Sequence, residues 1–211
     1  MRARRARRCI QILFRLFIEM MRVLGVLSYQ LEGIEKLQGA NLVLSNHPSL
    51  LDVVFLISLV PNANCVVKGK LTRNFFTRAP VMAAGYIMNE EADDVIDAAK
   101  RIIDDGQTLI VFPEGTRTIP DERIRFKRGA ANIAIRTGSE ITPVLIYCTP
   151  TTLTSGGHWY QVAEHRIHFR ILVQDPLEID LYLKNSVASR ESRKLNSELV
   201  DYFIRKLEAH E

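Results

Sequence analysis

The chain alternates short apolar runs with longer stretches of helical periodicity, and this alternation points to α/β architecture. Asn41–Ser45 (NLVLS), Asn64–Val67 (NCVV), Thr108–Phe112 (TLIVF), Val144–Cys148 and Arg166–Val173 are too short for helices and are expected to be strands. Helices are expected between them. One opens at Pro48-Ser49 and ends near Pro61. Another covers Glu91–Asp104, with Val95, Ile96, Ala99, Ile102 and Ile103 on one side and Gly106 as its stop. Phe126–Arg136 precedes Gly138, and a last helix at about Ser186–Leu207 carries Leu195, Leu199, Phe203 and Leu207 on one face. No repeat or Pro/Gly/Ser-rich linker divides the 211 residues, so a single domain is expected. With 47% hydrophobic and 25% charged residues, the chain has a globular composition.

Charge is unevenly placed. The first eight residues, MRARRARR, hold five arginines and no acid, more than the whole net charge of +4. The body is therefore not basic, which argues against a nucleic-acid-binding domain. Ile10–Leu27 follows, too interrupted by Arg15, Glu19 and Arg22 for a membrane span of roughly 20 apolar residues. At 100° per residue, Arg4, Arg7, Arg8, Gln11, Arg15, Glu19 and Arg22 fall within an arc of about 120°. Leu13, Leu16, Phe17, Met20, Met21, Leu24 and Leu27 cover the rest. This pattern predicts an amphipathic helix over residues 1–27, its apolar face in a membrane surface and its stripe on anionic headgroups.

Three cysteines, Cys9, Cys65 and Cys148, are odd in number and widely spaced, giving neither a metal-ligand pattern nor a disulfide framework. His165 and His168 have a spacing that sends them to opposite faces of a strand, and no metal site is expected.

Two strand exits carry polar clusters. After Ser45 come Asn46-His47-Pro48-Ser49-Leu50-Leu51-Asp52. An aspartate in the first turn of a helix can reach back to a histidine at the strand exit. It then fixes the tautomer and makes the other ring nitrogen a base toward a hydroxyl. After Phe112 come Pro113-Glu114-Gly115-Thr116-Arg117. Gly115 permits close backbone approach, and Arg117 offers a fork for phosphate or carboxylate. Glu114 can accept from Arg117 or from a substrate hydroxyl.

The two clusters, in this order, resemble the first and third blocks of the glycerolipid acyltransferase family. Gly33-Ile34-Glu35-Lys36-Leu37, Val67-Lys68 with Leu71, Phe126-Lys127-Arg128-Gly129-Ala130 and Ile141-Thr142-Pro143-Val144 resemble its flanking segments. The resemblance runs from about residue 28 to 180. It implies one acyltransferase domain over residues 28–211, a mixed sheet flanked by helices, preceded by the membrane-surface helix. It implies transfer of a fatty acyl group from acyl-CoA or acyl carrier protein to a hydroxyl of a 1-acylglycerol-3-phosphate-like lysolipid, in phospholipid synthesis. His47 would be the general base and Asp52 its support. Lys68, Glu114, Gly115, Thr116 and Arg117 would bind substrate. No metal or cofactor is implied. The place implied is the cytoplasmic face of the inner membrane.

One departure is clear. The family's second block ends in an Asp-Arg pair whose arginine helps to bind the acceptor phosphate. Here Gly85-Tyr86-Ile87-Met88 runs into Asn89-Glu90. Lys68, Lys70, Arg73 or Arg78 would have to compensate, or the acceptor carries another headgroup, such as an amino-acid lysolipid. A thioesterase and a non-enzymatic lipid binder on the same fold are the competing readings.

Overall fold

The computed structural model describes residues 2–67, 75–88, 92–119, 122–154, 165–183 and 188–209. Helix α1 (Arg2–Val23) leads into β1 (Leu27–Glu32), a 3-10 turn (Ile34–Leu37), β2 (Leu42–Ser45) and α2 (Leu51–Leu59). Then come β3 (Asn64–Val67), α3 (Phe75–Ala84), β4 (Ile87–Met88), α4 (Ala92–Asp104) and β5 (Leu109–Val111). The chain ends with α5 (Gly129–Thr137), β6 (Ile141–Thr149), β7 (Ile167–Val173), α6 (Asp180–Leu183) and α7 (Ala188–Glu208).

The strands form one mixed sheet in the order β1-β7-β6-β2-β5-β3-β4. β6 and β7 are antiparallel and the other neighbours parallel. Successive residues of a strand alternate between faces, and the core follows that period. Leu42, Leu44, Leu109, Val111, Ile141 and Leu145 face α4, α5 and α7, with Leu195, Leu199 and Phe203 fully buried among them. Val43, Ile110, Val144 and Ile146 face the other side, with Phe55, Leu56 and Ile18 of α2 and α1. The expected α/β domain with helices on both faces of a mixed sheet is what forms.

The N-terminal helix differs from expectation in two ways. It stops at Val23, because Gly25 adopts a φ of 75°, and Leu27 is the fully buried first residue of β1. The helix thus occupies less of the first 27 residues than the periodicity suggests. Nor does its whole polar stripe face outward. Arg7 is buried against α2 and α3, its Nη1 donating to Ala84 O at 2.8 Å and its Nε to Asn62 Oδ1 at 2.9 Å. Gln11 Nε2 donates to Ser58 O and Val60 O at 3.4 and 3.3 Å. The C-terminal carbonyls of two helices, which lack intrahelical donors, are thereby satisfied from α1. The outward side is apolar: Ile12, Leu13, Leu16, Met20, Val23 and Leu24 are 50–78% exposed. Arg4, Arg8, Arg15 and Arg22 are exposed along one edge of that strip. No helix among the described residues is long and apolar enough to cross a membrane.

One side chain extends the sheet. After β2 ends, Asn46 Nδ2 donates to Ile146 O and Ile146 N donates to Asn46 Oδ1, both at 2.8 Å. The amide continues the β2/β6 ladder where the backbone leaves it. Asn46→Ala strands two buried backbone groups and should cost about 2–4 kcal/mol. Urea unfolding measures this, and a loss below about 1 kcal/mol would contradict the role.

Candidate active site

Parallel pairing of β2 and β5 sets Leu44 beside Val111. The chain leaves both strands at the same edge, where ligands bind in α/β sheets. His47 and Glu114 each lie three residues beyond that pair. Two hydrogen bonds join the two exits, and a third closes the triangle within the second. His47 N donates to Glu114 Oε1 at 2.9 Å, Thr118 Oγ1 donates to the same oxygen at 2.9 Å, and Thr118 N donates to His47 O at 2.7 Å. The Phe112 ring stacks on the imidazole, centroids 4.2 Å apart and planes 27° apart. The backbone of His47 is held at both its N–H and its C=O, and its ring on one face.

The ring is held at one nitrogen as well. His47 Nδ1 lies 2.9 Å from Asp52 Oδ2, which also accepts from Ser49 N at 2.7 Å. An oxygen that already accepts one N–H suits the ionised form, so Nδ1 is assigned the proton and Nε2 is the basic nitrogen. The carboxyl of Asp52 has no exposed surface, and its Oδ1 has no hydrogen-bond partner among the described residues. Burial raises its pKa, while the bonds from His47 and Ser49 oppose that shift. The histidine and aspartate are brought together as the sequence suggests.

Glu114 and Arg117 of the third block have partners within the protein. Glu114 is buried and grips His47 and Thr118, and among the described residues it does not meet Arg117. Burial is the largest cause of its raised pKa, with the bonds from Thr118 and His47 working against it. Arg117 Nη1 donates to Leu153 O at 2.6 Å, and Leu153 O also accepts from Leu50 N at 3.3 Å. Arg117 therefore braces the first-block turn through a shared carbonyl. Gly115 has a φ of 69°, and a Cβ there would meet the Lys127 side chain at 2.9–3.0 Å. Thr116 is exposed. Lys68, Lys70, Arg73 and the Asn89-Glu90 pair lie outside the described residues, as do His158, Trp159 and Tyr160. His168 is exposed, its Nδ1 at 2.9 Å from Ser28 Oγ. All three cysteines are free.

A family model described as Acyltransferase matches residues 28–147, which include both strand exits. The chain belongs to the glycerolipid acyltransferase family. A relative from Helicobacter pylori strain J99, 1-acyl-sn-glycerol-3-phosphate acyltransferase, is 32% identical over 115 residues, covering 51% of this chain and 48% of its own. A protein of the same name from Borreliella burgdorferi is 25% identical over 173 residues, covering 79% of this chain and 66% of its own. The chain thus spans about half to two thirds of the length of these relatives. The crystal structure of the 1-acyl-sn-glycerophosphate acyltransferase from Thermotoga maritima shares the fold, with a TM-score of 0.70 and 21% identity. The likeness covers 96% of this chain and 81% of that one.

Within the family site, the sequence shows Phe112, Thr118 and Lys127 inside recognisable motifs but assigns them no partner, and it does not point to Leu153. Phe112 and Thr118 meet His47 at another strand exit, and only the β2/β5 pairing reveals it.

Glu114→Gln tests the clamp. The amide oxygen can still accept from His47 N and Thr118 Oγ1, and the buried charge is gone. A raised native carboxyl pKa means that the folded state holds its proton longer than the unfolded state. That contribution falls as pH rises through the interval between the ordinary carboxylate value and the raised one. The variant should melt no lower than the parent at pH 8, and its advantage should shrink as pH falls through the carboxylate range. Scanning fluorimetry at several pH values checks this. A lower melting point at pH 8 would show that the charge itself is required.

Proposed function

We propose that the protein transfers a fatty acyl group from a thioester donor to the hydroxyl of a lysolipid at a membrane surface. The observation that carries this reading is the buried Asp52 carboxylate on His47 Nδ1, which makes Nε2 a base. Nε2 takes the proton of the acceptor hydroxyl, and the oxygen attacks the thioester carbonyl. The tetrahedral intermediate collapses, the C–S bond breaks, and the imidazolium returns the proton to the leaving thiolate. The products are an ester and a free thiol. Acyl-CoA and acyl carrier protein both fit as donors. 1-Acylglycerol-3-phosphate is the acceptor suggested by the relatives' names. Glu90 in place of the family's arginine keeps an amino-acid lysolipid as the alternative acceptor. Mass spectrometry of products formed from mixed lysolipids separates the two.

His47→Ala should lower acceptor-dependent thiol release by at least about a thousandfold without unfolding the chain. Full turnover would refute His47 as the base. Thiol release by the parent without added acceptor would favour thioester hydrolysis, and none under any condition a lipid binder.

The membrane part of the proposal is supported by α1. Its inner side is engaged by core side chains and helix-end carbonyls, and its outer strip is apolar, with exposed arginines along one edge. Such a helix suits the interface of an anionic bilayer, here the cytoplasmic face of the inner membrane, where thioester donors are made. Replacing Leu13, Leu16 and Met20 by Gln should weaken binding to vesicles containing phosphatidylglycerol more than tenfold in flotation assays, with melting unchanged. Equal flotation would place the anchor elsewhere.

A further inference from the structure

We propose that Lys127 is the cation that receives the acceptor's phosphate, an inference that deepens the acyl-transfer reading above and rests on it. Lys127 N donates to Pro113 O at 2.8 Å, which ties this residue to the third-block turn. Its side chain then crosses directly over Gly115. A Cβ on Gly115 would stand 2.9 Å from Nζ and 3.0 Å from Cδ and Cε. The missing side chain at Gly115 leaves the space that the lysine stem fills, and a φ of 69° makes any other residue there strained as well.

The neighbouring charged side chains at this turn already have protein partners. Glu114 accepts from His47 and Thr118, and Arg117 spends one arm of its fork on Leu153 O. Lys127 is exposed and pairs with no carboxylate among the described residues. Among the described residues, Lys127 Nζ is the cation that lies against the Gly115 turn, and its charge favours an anion there. Glu90 stands where the family places a phosphate-binding arginine, so a phosphate here needs a cation from another segment.

The acceptor fits this place better than the donor. In 1-acylglycerol-3-phosphate the phosphate is only two carbons and one oxygen from the reacting hydroxyl. It must therefore lie in the same pair of loops as His47. The phosphates of a thioester donor sit at the far end of a long pantetheine arm.

Steady-state kinetics of the full chain with Lys127→Met and Lys127→Arg tests the assignment. Methionine keeps most of the stem without the charge. With 1-acylglycerol-3-phosphate, its acceptor KM should rise about tenfold to hundredfold at unchanged kcat and donor KM. A neutral monoacylglycerol should be used as before, and arginine should restore most of the loss. A rise in donor KM alone would move the phosphate contact to the donor and overturn the assignment. Unchanged constants would overturn it too. Mass spectrometry of amine labelling gives a readout independent of turnover: sn-glycerol 3-phosphate should protect Lys127 in the parent protein. Protection in a chain that transfers no acyl group would refute the reaction and keep the phosphate site. Normal transfer without protection or a KM effect would do the reverse.

Discussion

The peptide of His47 is gripped from both ends by a neighbouring strand exit, and the site depends on that grip. Its N–H goes to Glu114, its C=O to Thr118 N, and Thr118 Oγ1 closes the triangle on the same carboxylate oxygen. None of these bonds involves the imidazole nitrogens. Nδ1 is therefore available to Asp52, and Nε2 has no protein partner among the described residues. Parallel β2/β5 pairing makes this possible, because it sets two chain segments leaving the sheet side by side. The Asn46 amide holds the same turn to β6 on the other side. The histidine is thus anchored between two strands, which is the preorganisation that the proposed general base requires.

α1 packs Ile18, with Ile10, Phe14 and Met21, against the core and also turns polar side chains inward beside them. Its polar residues Arg7 and Gln11 point inward and satisfy carbonyls at the ends of α2 and α3, while Leu16 and Val23 point away from the protein. An exposed apolar strip of this length is unfavourable in water and favourable at a bilayer. The inner polar contacts fix the helix rotation, so the strip cannot turn back onto the core without breaking them. α2 connects the two regions: it carries Asp52 in its first turn, and the Ser58 and Val60 carbonyls that Gln11 reaches lie at its other end, so the proposed membrane contact of α1 would be coupled to the site through α2.

Local features were legible in the sequence and long-range ones were not. The Asn64–Val67 strand and the Gly106 and Gly138 helix stops follow from short-range patterns, and they form as read. The His47–Asp52 contact spans five residues, so spacing alone suggests it. β1 was not visible, because Leu27 also fits the apolar rhythm of the preceding helix and only the φ of Gly25 separates them. α3 carries Pro80 within it, a residue that argues against a helix. Glu114 was expected to face Arg117 or a substrate. Its partner His47 is 67 positions away and meets it only through sheet register. The sequence offers the Arg117 fork to a phosphate, a carboxylate or Glu114, and Leu153, in another loop, takes one of its nitrogens.

These contacts divide the work among the polar residues. Glu114 and Thr118 hold the backbone of His47; in the proposed reaction Asp52 would set the tautomer, His47 would move the proton, and Lys127 beside Gly115 would meet the anion. The central claim is that Asp52 makes His47 a base. The most direct test is the turnover of folded Asp52→Asn with saturating donor and lysolipid. The account predicts a fall in kcat of about a thousandfold to ten-thousandfold, with both KM values little changed. An unchanged kcat in the folded variant would contradict it.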